Sequence, residues 1–154
     1  MKKRIFPLAL ILLMLAAVIP LTGCGESTDY IASVKALKPF DDYGISVTYG
    51  TVLNKYISSA TWKERTQSKE LTYVDVTGKL KGIDGNTVDV AITFKVTPYE
   101  GATKGMLWIT PHLTEIEGLQ PFDSDDTAEF IEELFDAYEE GFESYFEYYD
   151  YYYN

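Results

Sequence analysis

The chain has few of the residues on which much protein chemistry depends. It contains one cysteine and one histidine, and it has no lysine or arginine after Lys104. A single cysteine excludes an internal disulfide. The sequence also lacks a glycine-rich phosphate loop and the HExxH and GxSxG patterns. We therefore expect a protein that is not an enzyme, with no metal site and no cofactor.

The charge of the chain is concentrated in its C-terminal third. Residues 25–104 contain ten acidic and ten basic side chains, whereas residues 105–154 contain fourteen acidic side chains and no basic ones. A surface of this kind repels phosphate groups. The pattern argues against nucleic acid and anionic lipid headgroups as direct partners.

The N-terminus has the pattern of an export signal. A basic start, Met1 to Arg4, precedes an apolar run from Ile5 to Ile19, which is typical of a secretory signal peptide. A helix that spans a bilayer needs roughly 20 apolar residues. This run is shorter and contains Pro7, so a retained membrane helix is the weaker alternative.

The four residues that follow, Leu21-Thr22-Gly23-Cys24, resemble the lipobox of bacterial lipoproteins. The resemblance implies cleavage before Cys24 and a diacylglycerol group on its thiol, which would hold the protein on the extracytoplasmic face of a bacterial cell membrane. The alternative is a signal peptide followed by a free or intermolecularly paired cysteine. The covalent lipid is the only bound group that the sequence predicts.

The sequence predicts one domain after this anchor. We expect a signal peptide at 1–23, a lipid anchor and tether at 24–42, a single α+β domain at 43–140, and a tyrosine-rich acidic helix end or tail at 141–154. A three-residue spacing of apolar side chains allows a short docked helix within the tether, and its members are Ile31, Val34, Leu37 and Phe40.

The central part alternates between helical and strand periodicity. Thr48 can cap a helix whose apolar face is formed by Tyr49, Val52, Leu53, Tyr56, Ile57 and Ala60. A short strand is predicted at 62–66. Two strands with period-two patterns follow, and their apolar positions are Val74, Val76 and Leu80, then Val88, Val90, Ile92, Phe94 and Val96. Asp84-Gly85-Asn86 between them predicts a tight hairpin turn.

A last strand is predicted from about 104 to 116. Pro111 removes one hydrogen-bond donor from it, which favours an edge position or a bulge. The predicted fold class is therefore α+β. A roughly four-stranded antiparallel sheet is covered on one face by the N-terminal helix and a long acidic C-terminal helix.

Several packing positions in this region resemble a known domain. They are Val47-Thr-Tyr-Gly-Thr-Val-Leu53, Trp62, Val74-Asp-Val-Thr-Gly78 and Val90-Ala-Ile-Thr-Phe-Lys-Val96. Together they look like a small extracytoplasmic domain of bacterial surface lipoproteins and membrane-anchored zinc-ribbon proteins. The resemblance covers about 70 residues and implies a fold, not an activity. The cysteine ribbon of some of those proteins is absent, so no zinc is inferred.

The C-terminal pattern predicts one amphipathic helix of about 24 residues. Its apolar side is Ile131, Leu134, Phe135, Tyr138, Phe142, Tyr145, Phe146, Tyr149 and Tyr152. Asp125 or Asp126 can cap it. One alternative is that Gly141 ends the packed helix and a solvated tail follows. The others are that the aromatic end binds a protein or glycan, or inserts into the membrane.

Two groups of residues are candidate binding sites. The polar face of the sheet predicts a patch with Tyr73, Thr77, Thr93, Lys95, Met106, Thr110 and His112, joined by Trp108 if that side chain points outward; in the alternative register Trp108 lies in the core. The C-terminal candidates are Phe142, Tyr145 and Tyr149. Asp123-Ser124-Asp125-Asp126 allows a calcium interpretation, but it does not match an EF-hand loop, and helix capping is the simpler interpretation.

These observations favour a lipid-anchored extracytoplasmic binding module without catalysis, whose partner is a protein or a cell-wall component. The alternative is an accessory protein or inhibitor of an envelope complex, in which the acidic tyrosine-rich helix engages a basic partner. A third hypothesis, a hydrolase, requires a cleft with a pair of perturbed carboxylates.

Overall fold

The computed structural model describes residues 29–68, 70–82, 85–98 and 107–153. The helices are α1 (Tyr30–Ala36), α2 (Tyr49–Tyr56), α3 (Ser124–Glu139) and α4 (Tyr145–Tyr153), with a 3-10 turn at Asp41–Tyr43. The strands are β1 (Ile57–Ser68), β2 (Leu71–Lys81), β3 (Thr87–Pro98) and β4 (Leu107–Ile116). They form one antiparallel sheet in the order β1-β2-β3-β4. The predicted α+β class is confirmed.

The central hairpin follows the alternation in the sequence. Strands β2 and β3 pair Val76 with Ile92 and Lys81 with Thr87. Seven of the eight predicted apolar positions are buried on one face, and Val88 is half-buried against them. The seven are Val74, Val76, Leu80, Val90, Ile92, Phe94 and Val96. Gly85 has φ 74°, the left-handed conformation that a tight turn needs. Both the hairpin and its buried face are therefore confirmed.

Strand β4 lies at the edge of the sheet and contains a bulge. Thr93 pairs with Leu113, but Phe94 pairs with Pro111, so His112 is the extra residue on β4. Proline has no N–H to give to a ladder, so a bulge beside it sacrifices little pairing. The expected edge position and bulge are both confirmed. The predicted start of this strand, with Met106, lies outside the described residues.

The first predicted helix is shorter than its periodicity suggests. The Thr48 hydroxyl accepts the Thr51 N–H at 3.2 Å and caps α2 as expected. The helix ends at Tyr56, however, and Ile57 begins β1 by pairing with Leu80. Pairing with β2 stabilises the extended conformation over the helical one, so the prediction that α2 includes Ile57 and Ala60 is wrong. Strand β1 is likewise much longer than the predicted 62–66.

The hydrophobic core includes residues that precede residue 43. The Asp29 carboxylate accepts the Ala32 N–H at 2.8 Å and caps α1. Val34 is 0% exposed and Leu37 is 4% exposed, and α1 packs on α2. Helix α1 lies in the segment expected to be a tether, where the spacing of apolar residues allowed a short docked helix, and the burial of Val34 and Leu37 makes it part of the core. Cys24 and the signal peptide lie outside the described residues.

Helix α3 is capped by Asp123, and not by Asp125 or Asp126 as predicted. The Asp123 carboxylate accepts the N–H of Asp125 at 2.9 Å and the N–H of Asp126 at 3.1 Å. This acidic run therefore serves as a helix cap. The buried face of α3 packs on the sheet through Phe130, Ile131, Leu134 and Phe135.

The prediction of one long C-terminal helix is wrong, because the chain turns at Gly141. Gly141 has φ 82°, and the Phe142 N–H donates to the Ala137 carbonyl at 3.0 Å, which is the Schellman pattern. A second helix, α4, then starts with a reciprocal capping box between Ser144 and Glu147. Both helix ends at the break are therefore capped by hydrogen bonds. The alternative in which Gly141 ends the packed helix is confirmed, but a second helix follows it in place of a solvated tail.

Candidate functional site

The side of the sheet that faces away from the helices carries the first candidate surface, which we name the outer sheet face. Its residues alternate along each strand with the buried ones, and they are half-buried or exposed. They are Lys63, Arg65, Tyr73, Asp75, Thr77, Lys79, Ala91, Thr93, Lys95, Trp108, Thr110 and His112. The core on the other side joins α2, β3 and α3, as the ring contacts of Tyr49 with Phe94 (4.9 Å) and Phe135 (5.8 Å) illustrate. The described helices therefore leave the outer sheet face uncovered.

Three side chains form a row across this face. The Arg65 guanidinium carbon lies 5.1 Å from the centroid of the Tyr73 ring. On the other side of Tyr73, the His112 ring lies at 5.4 Å with an interplanar angle of 28°, a stacked arrangement. The row starts on β1, passes β2 and ends at the β4 bulge. A cation and two rings in van der Waals contact attract one another through the ring quadrupole.

Hydrogen bonds to Asp75 fix the position of Arg65 at the cationic end of this row. The Asp75 carboxylate accepts hydrogen bonds from the Arg65 Nε and from Arg65 Nη2, the second at 2.9 Å, and a third from the Thr93 hydroxyl at 2.9 Å. The Arg65 hydrogen bonds, with a smaller contribution from Thr93, hold the pKa of Asp75 below its ordinary value although partial burial opposes them. This bidentate geometry fixes the guanidinium plane over Tyr73.

The structure brings two of the predicted binding residues into contact and places a third on the same face. Tyr73 and His112 stack, and Trp108 lies on the same face of β4, where it pairs with Thr97. Leu107 and Ile109 are buried at 6% and 0% exposure, so Trp108 is on the outward side. Of the two registers that the sequence allowed, the one with Trp108 outside the core is confirmed.

An open depression of about 560 Å³ lies near the hairpin end of the same face. It is lined by Ser59, Thr77, Lys79, Asp89, Glu115 and Glu117, among others. Lys79 Nζ contacts Asp89 Oδ1 at 2.6 Å, so this carboxylate already has a partner. The depression is shallow and wide, and it has no enclosed apolar wall for a small ligand.

Two of the described carboxylates, Asp75 and Glu132, have shifted pKa values. The pKa of Asp75 is lowered by Arg65. The pKa of Glu132, on α3, is raised by burial and then by the neighbouring Asp136, Glu129 and Glu133. These two side chains lie on opposite sides of the sheet and do not form a pair. Within the described residues, no three His, Cys, Asp or Glu side chains are placed to hold a metal ion.

The C-terminal candidates separate into buried and exposed residues. Tyr145 is 8% exposed, and its ring lies 4.9 Å from that of Phe130. Its expected role as a binding residue is therefore corrected, because the ring is part of the core. Phe142 is half-buried in the turn between α3 and α4 and contacts three tyrosine rings. Tyr149 is 42% exposed.

The second candidate surface is the exposed side of α4, which we name the tyrosine face. Of the described large apolar side chains, six are exposed, and four of them are on this helix: Tyr149, Tyr151, Tyr152 and Tyr153. They form two contacting pairs, Tyr149 with Tyr153 and Tyr151 with Tyr152, and exposed rings in such number are typical of an interaction site. Their concentration on one short helix makes α4 a candidate interface.

Carboxylates in α3 and at its C-terminal end accept hydrogen bonds from tyrosine hydroxyls of α4. The Tyr145 hydroxyl donates to Glu133 at 2.6 Å, and the Tyr153 hydroxyl donates to the other oxygen of Glu133 at 2.9 Å. Tyr152 donates to Glu140 at 2.5 Å. The bond to Glu140 raises the pKa of Tyr152 to about 12, and burial together with Glu133 raises the pKa of Tyr153 to about 12. Near neutral pH the phenols are therefore protonated donors.

Sequence patterns did not reveal the residues that hold these two groups of rings. Arg65, Glu133 and Glu140 belong to no recognised motif, and each contacts a ring or hydroxyl that is distant in sequence. Arg65 lies within the predicted strand at 62–66, but its position beside Tyr73 follows only from the pairing of β1 with β2. The signal for α4 was present, since Ser144-x-x-Glu147 after Gly141 is a capping box.

No protein-family model matches the chain. Comparisons with curated proteins and with solved structures also found no significant similarity. No described helix is both long enough and apolar enough to span a membrane.

Proposed function

We propose that this chain is a lipid-anchored extracytoplasmic binding module that uses its outer sheet face to hold a partner of the cell envelope. The observation that carries the proposal is the row of Arg65, Tyr73 and His112 across a face that the described helices leave uncovered. Aromatic and arginine side chains are the residues that most often dominate binding energy. The proposed role is binding and not catalysis.

The edges of the sheet are poor docking sites, which directs a partner to the face. Strand β4 carries Pro111 and a bulge, and Thr114 forms a bridge with Phe122 outside it. Strand β1 has two register irregularities and places the charged Glu64 on the inner side. Proline, bulges and inward charges are the devices that prevent strand addition.

The outer sheet face is organised before any partner arrives. Asp75 fixes Arg65, and the two rings fix each other, so little side-chain entropy remains to be lost on binding. Two other carboxylates of this face, Asp89 and Glu115, line the depression at its hairpin end. Around the row itself the charged side chains are Lys63, Arg65, Lys95 and Asp75, of which Arg65 and Asp75 pair with each other, so the remaining charge there is positive. This charge favours partners with carboxylate or phosphate groups, in a protein or a cell-wall polymer.

A photo-crosslinking amino acid placed at Thr110, beside the row, tests the use of this face in intact cells. We expect an adduct at 110 that is lost when Tyr73→Ala and His112→Ala are added. The matched control is the same crosslinker at Thr51, an exposed position on α2. Equal adducts at 110 and 51, or an adduct at 110 that survives both substitutions, would contradict the proposal.

The lipid anchor has a separate test. Cys24→Ala should release the protein from the membrane without lipid or leave its precursor uncleaved. Metabolic labelling with a fatty acid and fractionation of the cells measure this. A Cys24→Ala protein that is processed normally and remains on the membrane would refute the anchor and leave the proposal for the sheet face intact.

A further inference from the structure

The tyrosine face lies on the helix side of the sheet and has a charge of one sign. Exposed carboxylates flank the four tyrosines, and they are Glu139, Glu140, Glu143, Glu147 and Asp150. Residues 105–154 contain no lysine or arginine. From outside this segment, Lys55 of α2 reaches the ring of Tyr138 at 5.0 Å. The charge of this region is therefore strongly negative.

The exposed rings are held in place by their neighbours. Tyr149 stacks on Tyr153 with centroids 4.7 Å apart and an interplanar angle of 26°. Tyr152 packs on Tyr148 at 4.9 Å, and Glu133 and Glu140 accept the hydroxyls of Tyr153 and Tyr152. A surface whose rotamers are already fixed pays little entropy when it binds.

The outward residues of α4 contribute little to the core. Tyr145 and Tyr148 are 8% and 7% exposed and face inward, whereas Tyr151 is 70% exposed. Packing in the core explains Tyr145 and Tyr148, and hydrogen bonds to Glu140 and Glu133 help to explain Tyr152 and Tyr153. Neither explains why the rings of Tyr149 and Tyr151 are exposed. Tyrosine is enriched at protein interfaces because it combines a large ring with a polar hydroxyl.

We propose that the tyrosine face is a second binding surface, separate from the outer sheet face, and that it docks a protein segment rich in arginine or lysine. Cationic side chains bind the faces of tyrosine rings, and the carboxylates around the rings supply the complementary charge. The same carboxylates repel anionic lipid headgroups and are costly to insert into a bilayer. The module thus joins one partner on its sheet to another, basic partner on its helices.

A fluorescein-labelled deca-arginine peptide is the probe, and binding to the full-length chain in a neutral detergent is followed by fluorescence anisotropy. We expect Tyr149→Ser with Tyr151→Ser to weaken binding by about tenfold, since two cation–ring contacts are lost with no change of charge. Tyr151→Ser alone, at the most exposed position of the helix, gives a smaller loss and guards against a folding defect in the double variant.

Two charge variants complete the design. Glu147→Gln with Asp150→Asn should weaken binding and flatten its salt dependence. The matched control, Asp41→Asn with Asp42→Asn, removes the same charge from the exposed 3-10 turn and should leave the affinity unchanged. Equal losses in both charge variants, or an unchanged affinity in the double tyrosine variant, would show that only net charge attracts the peptide and would overturn the proposal.

Other occupants give different results. Self-association of the full-length chain that disappears with Tyr149→Ser and Tyr151→Ser would assign the surface to a second copy. Flotation of a Cys24→Ser chain with phosphatidylcholine vesicles that requires the same tyrosines would assign it to the membrane. Either result would overturn the proposal without affecting the proposed role of the outer sheet face.

Discussion

The outer sheet face and the tyrosine face both present aromatic rings, but the groups that hold the rings have opposite charge. On the sheet, the Arg65 guanidinium lies over the face of Tyr73. On the helices, the carboxylates of Glu133 and Glu140 accept hydrogen bonds from three tyrosine hydroxyls, those of Tyr145, Tyr152 and Tyr153. The ring face is electron-rich and attracts cations, whereas the phenol O–H is a donor that carboxylates accept. Tyrosine therefore suits both a positively and a negatively charged surface, because its ring face contacts cations and its hydroxyl donates to carboxylates.

The largest expected loss of stability comes from a substitution in the sheet, at the close approach of β1 to β2. A Cβ on Gly78 would lie 2.5 Å from Ile57 Cγ2 and 2.7 Å from the Ser58 carbonyl oxygen, so Gly78→Ala must push β1 away from β2. We expect a loss of about 3 kcal/mol in the free energy of unfolding, measured by urea denaturation. Thr77→Ala, at the exposed neighbouring position, should change it by less than about 0.5 kcal/mol. Equal values for the two variants would contradict the close approach of β1.

A smaller effect is expected where the helices are held together. Glu133→Gln weakens the hydrogen bonds from both Tyr145 and Tyr153 by removing the charge of the acceptor, and we expect a loss of about 1 to 2 kcal/mol. Glu139→Gln removes the same charge from an exposed position on α3 and should cost close to nothing. Urea denaturation compares them, and hydrogen exchange shows whether α4 opens first. A Glu139→Gln protein as unstable as Glu133→Gln would refute the specific role of Glu133.

The pH dependence should differ between the two surfaces. The folded-state pKa of Asp75 is lowered from 3.8 by Arg65, so its stabilising contribution is present above that value and is lost as the pH falls below it. The pKa values of Tyr152 and Tyr153 are raised from 10.0 to about 12. Their contribution is present below pH 10 and is lost as the pH rises from there to about 12. Acid should therefore loosen the sheet row, and alkali should loosen α4.

Nuclear magnetic resonance of the two regions across these pH ranges measures the difference. Asp75→Asn should remove the acid-dependent change at Arg65 and Tyr73 and leave the alkaline change in α4 intact. If α4 and the sheet row loosen together at both low and high pH, the whole domain unfolds as one unit. That result would contradict a separate pH response of the two surfaces.

The smallest expected effect on stability concerns the exposed end of the sheet row. His112→Ala removes one stacked ring from Tyr73 and leaves the Arg65 contact, so the free energy of unfolding should fall by about 0.5 kcal/mol. Arg65→Ala removes the guanidinium and leaves Asp75 with Thr93 alone, and it should cost more, about 1 kcal/mol. Thermal unfolding of the two single variants gives the order. A larger loss for His112→Ala would mean that the bulge, and not the salt bridge, organises the row.

Local patterns were sufficient for the elements whose periodicity and turn chemistry agree. In β2 and β3 the alternation, the glycine turn and the cross-strand pairing point to one register, so the buried face was predictable. Thr48 was likewise a correct cap, because capping depends on residues within one turn. The C-terminal segment was different. Its helical spacing continues through Gly141, although Gly141 and the Ser144-x-x-Glu147 box are both signals for a break.

The sequence by itself determined the hairpin, the buried and outward faces of its strands, and the separation of charge between the first and last parts of the chain, because each follows from residues that are close in sequence. Only the tertiary structure decided where α2 yields to β1, that Trp108 lies outward, and which distant side chains meet. Arg65 and His112 both reach Tyr73 from other strands, and Tyr153 of α4 reaches Glu133 of α3. Such contacts depend on how whole elements pack, since cross-strand and interhelical distances are set by the common core and not by any local spacing.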